Sequence, residues 1–405
     1  MPTDPTRLRR DAQALQPWLV EIRRQLHRRP EVGLDLPETQ GLVVAELKRL
    51  GLAPRLGRDL SSVAALVEGG APGPTVLLRA DMDALPVDEA TGLDFASEID
   101  GAMHACGHDT HVAMLLGAAR LLVERRPSMA GRVLLDFQPG EEGRHGARLM
   151  LDEGLLDVPI EGAFGPVTGA FAIHITARYS TGTINFRRGA LYAAGDRFTI
   201  TVRGAGGHAA SPHLALDPVP IAAEIVLALQ TIRSRRINTF DPIVLTIGSL
   251  TAGTAPNIIP ETAVLRGTVR TTSDDVRDRV HELIRQMPAG IATAHGATAE
   301  VEISSGYPAT INDEAVAGVV LSVATELLGE DRVVEMPWPS MGSEDFSYIL
   351  QRVPGAMVFL GATPADLDPT TVPQTHSNKV VLDESAMPTG VALHVAMAER
   401  LLARG

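Results

Sequence analysis

One cysteine, two lysines and an aromatic share of 4% are what the 405-residue chain has least of. A single cysteine cannot close an internal disulfide, so the thiol is free, buried or metal-bound, and a reducing compartment is expected. The only lysines are Lys48 and Lys379; this preference for arginine reads as genomic composition bias and carries no functional weight. Positive charge is also short, with 36 Lys plus Arg against 49 Asp plus Glu, a formal net charge of -13. Such a balance repels a phosphate backbone and argues against nucleic acid as a partner. Long apolar runs are missing too: the greasiest helical stretch, VAMLLGAARLLV, is interrupted by Arg120 and is too short to span a bilayer. The N-terminal MPTDPTRLRRDAQAL has no apolar segment of the secretory kind. No membrane partner and a cytoplasmic location are therefore expected.

What is present is enough apolar material for two cores. The chain exceeds the roughly 250 to 300 residues at which one core stops growing, and 45% of it is apolar. In the first third, aliphatic runs alternate with helical patterns, which is how a mostly parallel sheet covered by helices reads. Helices are expected at Trp18 to Arg28 and Gln40 to Leu50, and strands at Val63 to Val67, Thr75 to Arg79, Arg132 to Phe137 and Ala170 to Ile175. A further helix begins just after Gly107, with Asp109 as its expected N-cap. The middle reads β-α-β-β-α-β, the split unit of a ferredoxin-like domain: strands near 196–202, 243–250, 262–269 and 298–303, helices near 218–232 and 274–294. From Asn312 the α/β pattern resumes. The layout is a small domain, residues 189–304, inserted in a larger one made of residues 1–188 and 305–405.

Ligands of open α/β sheets collect outside the carboxyl ends of the strands, so the polar residues after each aliphatic run carry the functional expectation. TVLLR runs into Asp81 and Asp83; an Asp after a strand is as often only a turn former. RVLLDF runs into Gln138-Pro139-Gly140-Glu141-Glu142-Gly143, either a solvated turn or a base beside a metal ligand. AFAI ends in His174, and His376 follows AMVFLG and a polar loop. The stretch MHACGHDTH, residues 103 to 111, holds the sole cysteine and three of the twelve histidines. Cys106 and His108, two apart in a glycine-containing loop at a helix start, form a thiolate and imidazole pair that favours Zn or a neighbouring transition metal. The alternatives are a helical face carrying His104, His108 and His111, against which Gly107 argues, and a Cys106 that is merely a small buried hydrophobe.

Cys106, His108, Glu142, His174 and His376 are more ligands than one tetrahedral ion needs, so the count implies two metals. Two such ions polarise a carbonyl and bring the pKa of a bridging water to about 7, while the remaining carboxylate of the Glu141-Glu142 pair acts as general base. That is the chemistry of amide hydrolysis. The residues themselves do not rank Glu141 against Glu142.

RADMDALP (79 to 86), MHACGHD (103 to 109), QPGEEG (138 to 143), GGHAASPH (206 to 213) and GTAPNIIPETAVLRGTVRT (253 to 271) together resemble the bacterial and plant metal-dependent amidohydrolases. That branch includes hippurate hydrolase, auxin-amino-acid hydrolase and N-acyl-amino-acid deacylases, and stands with aminoacylase and the glutamate carboxypeptidases. The resemblance covers nearly the whole chain. It implies a two-metal, aminopeptidase-like three-layer α/β catalytic domain with an inserted ferredoxin-like lid domain usually used for dimerisation. It implies further that Cys106 bridges the metals, that His108, Glu142, His174 and His376 complete the ligation, that Glu141 is the base, and that Asp83 orients an imidazole ligand. Asp81 takes the place of a histidine ligand of distant relatives. His208 matches a residue that leans over the active site of the partner subunit and stabilises the oxyanion; Asn257 and Arg270 match residues that grip the substrate carboxylate. His27, in QLHRRPE, also resembles a family segment and is read as structural. After His174 the chain reads ITARYSTGTI where relatives have Asn and then Pro and Gly, so the pocket rim differs.

The expectation is thus a hydrolase of N-acyl amino acids, a small-molecule substrate, forming a homodimer or higher homo-oligomer through the inserted domain, with two divalent ions, Zn or Mn, or else Co or Ni. Rival readings are a cysteine hydrolase using Cys106 as nucleophile, a metal-dependent dipeptidase or carbamoylase, and a metal-binding scaffold without turnover.

Overall fold

Aliphatic runs without polar alternation need cover on both faces, and they supply the centre of the larger of two compact units in the computed structural model, which describes residues 4–158 and 164–404. This unit takes in Met1–Leu191, Ile311–Trp338 and Asp345–Gly405. Its strands are β1 (Arg55–Leu56), β2 (Val63–Glu68), β3 (Ala71–Asp81), β4 (Ala130–Gln138), β5 (Phe164–Ser180), β6 (Ile184–Phe186), β7 (Val333–Glu335) and β8 (Gly355–Thr363). They form one 8-stranded sheet in the order β1-β2-β4-β3-β5-β8-β6-β7. The centre, β4, β3, β5 and β8, is parallel, while β2 lies antiparallel on β4 and β6 antiparallel on β8. The parallel centre therefore delivers four carboxyl ends to one edge.

The sheet is covered by α1 (Pro5–Ala14), α2 (Gln16–Arg28), α3 (Pro37–Arg49), α4 (His108–Arg125), α5 (Glu314–Leu328) and α6 (Met387–Leu402). Buried on nearly every side, α4 packs against α2, α6 and β3, the placement that a helix apolar all round requires. Its start is built on Gly107, which has a left-handed φ of +88°. A Cβ there would lie 2.5 Å from Ile175 Cγ2 and 2.7 Å from Leu382 Cδ1, so both conformation and space demand glycine.

Two local expectations are corrected. Asp109 does not cap α4; it sits in the first turn, where its Oδ2 accepts from Arg23 Nε at 3.0 Å and from His27 Nδ1 at 2.8 Å, both on α2. A buried arginine competes for the carboxylate better than an exposed-style cap can, and His27 is accordingly a packing partner of the helix start. The strand carrying His174 does not end there either. It continues to Ser180, because Ile175 and Thr176 keep pairing with β8 and, past a register shift, Ser180 pairs with Thr363.

The smaller unit comprises Tyr192–Thr310 and Pro339–Glu344. Its strands, Ala194–Arg203, Ile243–Ala252, Thr262–Thr271 and Thr298–Ser305, form an antiparallel sheet in which the 243–252 strand is outermost, followed by 262–271, 194–203 and 298–305. Along Ala194–Arg203 burial alternates with a period of two, as one covered face requires. That face packs Phe198, Ile200 and Val202 against Ile221, Ile225 and Leu229 of helix Pro218–Thr231 and Val280 and Ile284 of helix Asp274–Ala294. The short stretch Pro339–Glu344 joins this unit through bonds that sequence spacing does not reveal: Ala193 N–H donates to the carbonyls of Ser340 and Gly342, each at 3.0 Å, and Arg270 donates to Ser343 Oγ at 3.0 Å.

Candidate metal centre

Each ligand candidate reaches the carboxyl edge of the larger unit by its own route. Cys106 lies in the loop before α4, His108 is the first residue of α4, Glu142 follows β4, His174 stands in β5, and His376 follows β8. The donor atoms of Cys106, His108 and His174 all lie within 4.8 Å of one another, and so do those of Cys106, Glu142 and His376. Both groups share one atom, Cys106 Sγ. A third group, His108, Glu141 and Glu142, meets the same limit. Cys106 Sγ is 3.4 Å from His174 Nε2, and His376 Nε2 is 3.1 Å from Glu142 Oε1. Burial grades across the cluster: Cys106, His108 and His174 are buried, Glu142 half-buried and His376 exposed.

Hydrogen bonds aim these side chains. His108 Nδ1 donates to the Asp83 carbonyl at 2.8 Å, since a carbonyl only accepts, and this leaves the Nε2 lone pair for a ligand. That Nε2 is buried without a hydrogen-bond partner, and buried Glu142 Oε1 has only the ion-pair contact with His376. Orphaned buried polar atoms cost free energy, and a thiolate, imidazole and carboxylate set facing inward is the chemistry that a divalent ion satisfies. The residues present therefore fit such ions. The Asp83 carboxylate, expected to orient an imidazole, has Oδ1 3.6 Å from His108 Nδ1 and serves the next loop as well: Oδ1 accepts from Glu141 N at 2.9 Å and Oδ2 from Glu142 N at 3.0 Å. It thus pins the Glu141-Glu142 loop, while the Asp83 carbonyl makes the shorter bond to His108.

His376 adopts a left-handed φ of +71°, held by its N–H bond to the Ala105 carbonyl at 2.9 Å. Strain of this kind in a residue other than glycine marks a position that function has overruled. Beside the Cys106 thiol and the Glu142 carboxylate, its imidazole is pushed up to about 10. Burial pushes the Cys106 thiol up and holds His174 well below the usual imidazole range. For Glu142, burial acts to raise the pKa and the His376 imidazole to lower it; the lowering wins.

Asp81 lies beside the ligand set, its Oδ2 3.5 Å from His108 Nε2, and is bonded to other partners as well. Its Oδ2 accepts from Arg79 at 2.7 Å and its Oδ1 from His111 Nδ1 at 2.5 Å. Burial raises the Asp81 carboxyl, but the charge of Arg79 and the two nearby imidazoles hold it well below the usual range. Arg79 continues to Asp345 Oδ1 at 3.0 Å and Gln138 Oε1 at 2.9 Å. This buried network was not anticipated. The available signal was an arginine closing an otherwise aliphatic strand run, which must find carboxylates once it is buried. The single helical face of three histidines does not form either: His104 precedes α4, and only His108 and His111 share its first turns.

Residues 77–400 match the family described as peptidase family M20/M25/M40. The chain belongs to that family. Thermostable carboxypeptidase 1 of Saccharolobus solfataricus is 38% identical over 97% of this chain and 97% of that protein. The N-acetyl-L-cysteine deacetylase of Bacillus subtilis is 38% identical over 96% of this chain and 89% of its own length. Among solved structures, the Bacillus subtilis YXEP protein, described as a dinuclear metal binding peptidase from the M20 family, superposes with a TM-score of 0.83 at 32% identity, covering 96% of this chain and 99% of that one. This M20 chain is thus a metal-dependent hydrolase of the peptidase and amidohydrolase kind.

The three substrate-binding candidates lie in the smaller unit of this M20 protein. His208 and Asn257 meet on a short two-stranded ribbon, in which His208 pairs with Ile258 and Ala209 N–H donates to the Asn257 carbonyl at 3.1 Å. Both side chains are exposed. Arg270, on the Thr262–Thr271 strand, is half-buried and bonded to Ser343 instead.

Proposed function

We propose that the protein hydrolyses the amide bond of N-acyl amino acids, N-acetyl and N-benzoyl among them, with two divalent ions held by Cys106, His108, Glu142, His174 and His376. The observation that carries this reading is the sharing of Cys106 Sγ between two ligand groups, which suits a bridging thiolate. Zn or Mn, and equally Co or Ni, match such mixed donors. Ions bound there would polarise the amide carbonyl and acidify the attacking water. Glu141, fixed through its amide by Asp83, takes the proton of that water and passes it to the leaving nitrogen. Arg270 and Asn257 grip the substrate carboxylate, where local charge outweighs a net charge of -13. His208 stabilises the oxyanion across a homodimer.

The name of the 38% identical deacetylase supports the N-acyl reading, and that of the carboxypeptidase supports a second one, cleavage of a peptide bond next to a free carboxylate. A nucleophilic Cys106 is disfavoured, because its buried Sγ is shared by the two candidate ligand groups. A scaffold without turnover has no need of Glu141 beside Glu142. The test is a metal-reconstituted assay over N-acetyl, N-benzoyl and N-carbamoyl amino acids and dipeptides. Fastest turnover of the acyl compounds is expected, dipeptides in first place would favour the carboxypeptidase reading, and no turnover with any ion would end both. Glu141→Gln should retain its metal and lose about 10²- to 10⁴-fold in kcat; unchanged kcat would remove Glu141 from the base role.

A further inference from the structure

One turn past His108 stands an imidazole that the proposed chemistry leaves unused. His111 is buried, its ring stacked on His108 with centroids 5.4 Å apart and edge-on to His174 at 5.0 Å. Its donor atoms lie within 4.8 Å of those of Asp81 and His108, so distance alone admits it as a ligand. Its hydrogen bonds do not. Nε2 accepts the Ile175 N–H at 2.8 Å, which places the ring proton on Nδ1, where it is donated to Asp81 Oδ1 at 2.5 Å. Binding an ion through Nε2 would strand a buried amide, and binding through Nδ1 would strand a buried carboxylate.

The same bonds lead onward to a ligand. Ile175, whose N–H is held by His111, accepts through its carbonyl the Nδ1 proton of His174 at 2.6 Å, which turns His174 Nε2 toward Cys106 Sγ at 3.4 Å. Behind His111, Asp81 is held in place by Arg79. We infer that His111 is a positioning residue: it binds no ion, and it fixes the ring planes of His108 and His174 by packing against both and by tying Asp81 to the Ile175 amide. A ligand's orientation is commonly set by the bond its other nitrogen makes, and loss of such a partner typically costs 10- to 100-fold in metal affinity. Here the partner is the Ile175 carbonyl, and His111 holds the same residue through its N–H.

The inference rests on the metal-centre reading above, and the two can fail separately. His111→Leu keeps bulk and removes both bonds; His111→Gln keeps a donor and an acceptor without a ligating imidazole. Ion affinity, measured by competition with a chromophoric chelator, should weaken about 10- to 100-fold in His111→Leu and stay near that of the wild type in His111→Gln. Equal affinity in all three proteins overturns the inference, and so does equal loss in both variants. A wild-type chain that takes up no ion sinks the metal-centre reading as well. A second measurement needs no variant: in the intact protein loaded with cadmium-113 and labelled with nitrogen-15 histidine, His108, His174 and His376 should show metal coupling and His111 none. Coupling at either His111 nitrogen overturns the assignment even if His111→Leu does not fold.

Discussion

Asp83, just after β3, and Asp136, on β4, are both buried carboxylates at central strands, and their surroundings give them opposite fates. Asp83 accepts two backbone amides and holds the base and a ligand in one loop. Asp136, on β4, has neither carboxylate oxygen hydrogen-bonded, and burial pushes it up to about 7. A carboxyl raised in the folded state contributes stability that is complete below the unfolded value near 4 and is lost as pH rises through about 7. Wild-type protein should therefore become less stable between pH 4 and pH 7 by roughly 2 to 4 kcal/mol from this group. Asp136→Asn should flatten that slope, and urea denaturation at several pH values in both proteins checks it; parallel slopes would contradict the assignment.

At the level of elements, the start of α4 is anchored to α2. Arg23 binds Asp109 and also lies 3.2 Å from Glu384 and 3.3 Å from the Leu382 carbonyl, joining three segments in a dry interior. Removing one partner of a buried pair costs about 3 to 5 kcal/mol, because the other charge is left uncompensated. Arg23→Met should lower stability by that order, read as a reduced urea midpoint. Replacement of both charges, Arg23→Met with Asp109→Asn, should recover part of the loss. Additive losses in the double variant would mean that the pair does not act as a unit.

On the scale of the whole molecule, the described residues contain no helix long and apolar enough to cross a membrane. The smaller unit presents an open sheet edge, Ile243–Ala252, on which Val244 and Leu250 are exposed, while Leu227 on the neighbouring helix is 71% exposed. The opposite edge strand, Thr298–Ser305, carries Glu300 and Glu302, charges of the kind that discourage pairing. This asymmetry supports the proposed homodimer through the 243–252 edge. Leu227→Asp combined with Leu250→Arg should shift sedimentation from dimer to monomer without loss of bound metal, and turnover should fall if His208 serves the partner subunit. A monomeric wild type would refute the assembly.

The parallel centre, the inserted β-α-β-β-α-β run and the five ligand candidates were legible because each depends on local pattern: aliphatic runs need cover on both faces, and polar residues that follow parallel strands arrive at one edge. The aliphatic run before Asp81 and the loop before α4 sufficed to collect Cys106 and His108. What folding alone decided is which distant groups share a hydrogen bond. Asp81 stays close to His108 while Arg79 and His111 bond its two oxygens; Asp109 could have capped α4 until Arg23 arrived from α2; Asp83 was read for its carboxylate, and its carbonyl meets His108 as well. Except for Arg79, two residues before Asp81, these partners lie far apart along the chain or belong to the backbone, so periodicity carries no trace of them. Burial makes each such bond obligatory, and only the packed arrangement says who supplies it.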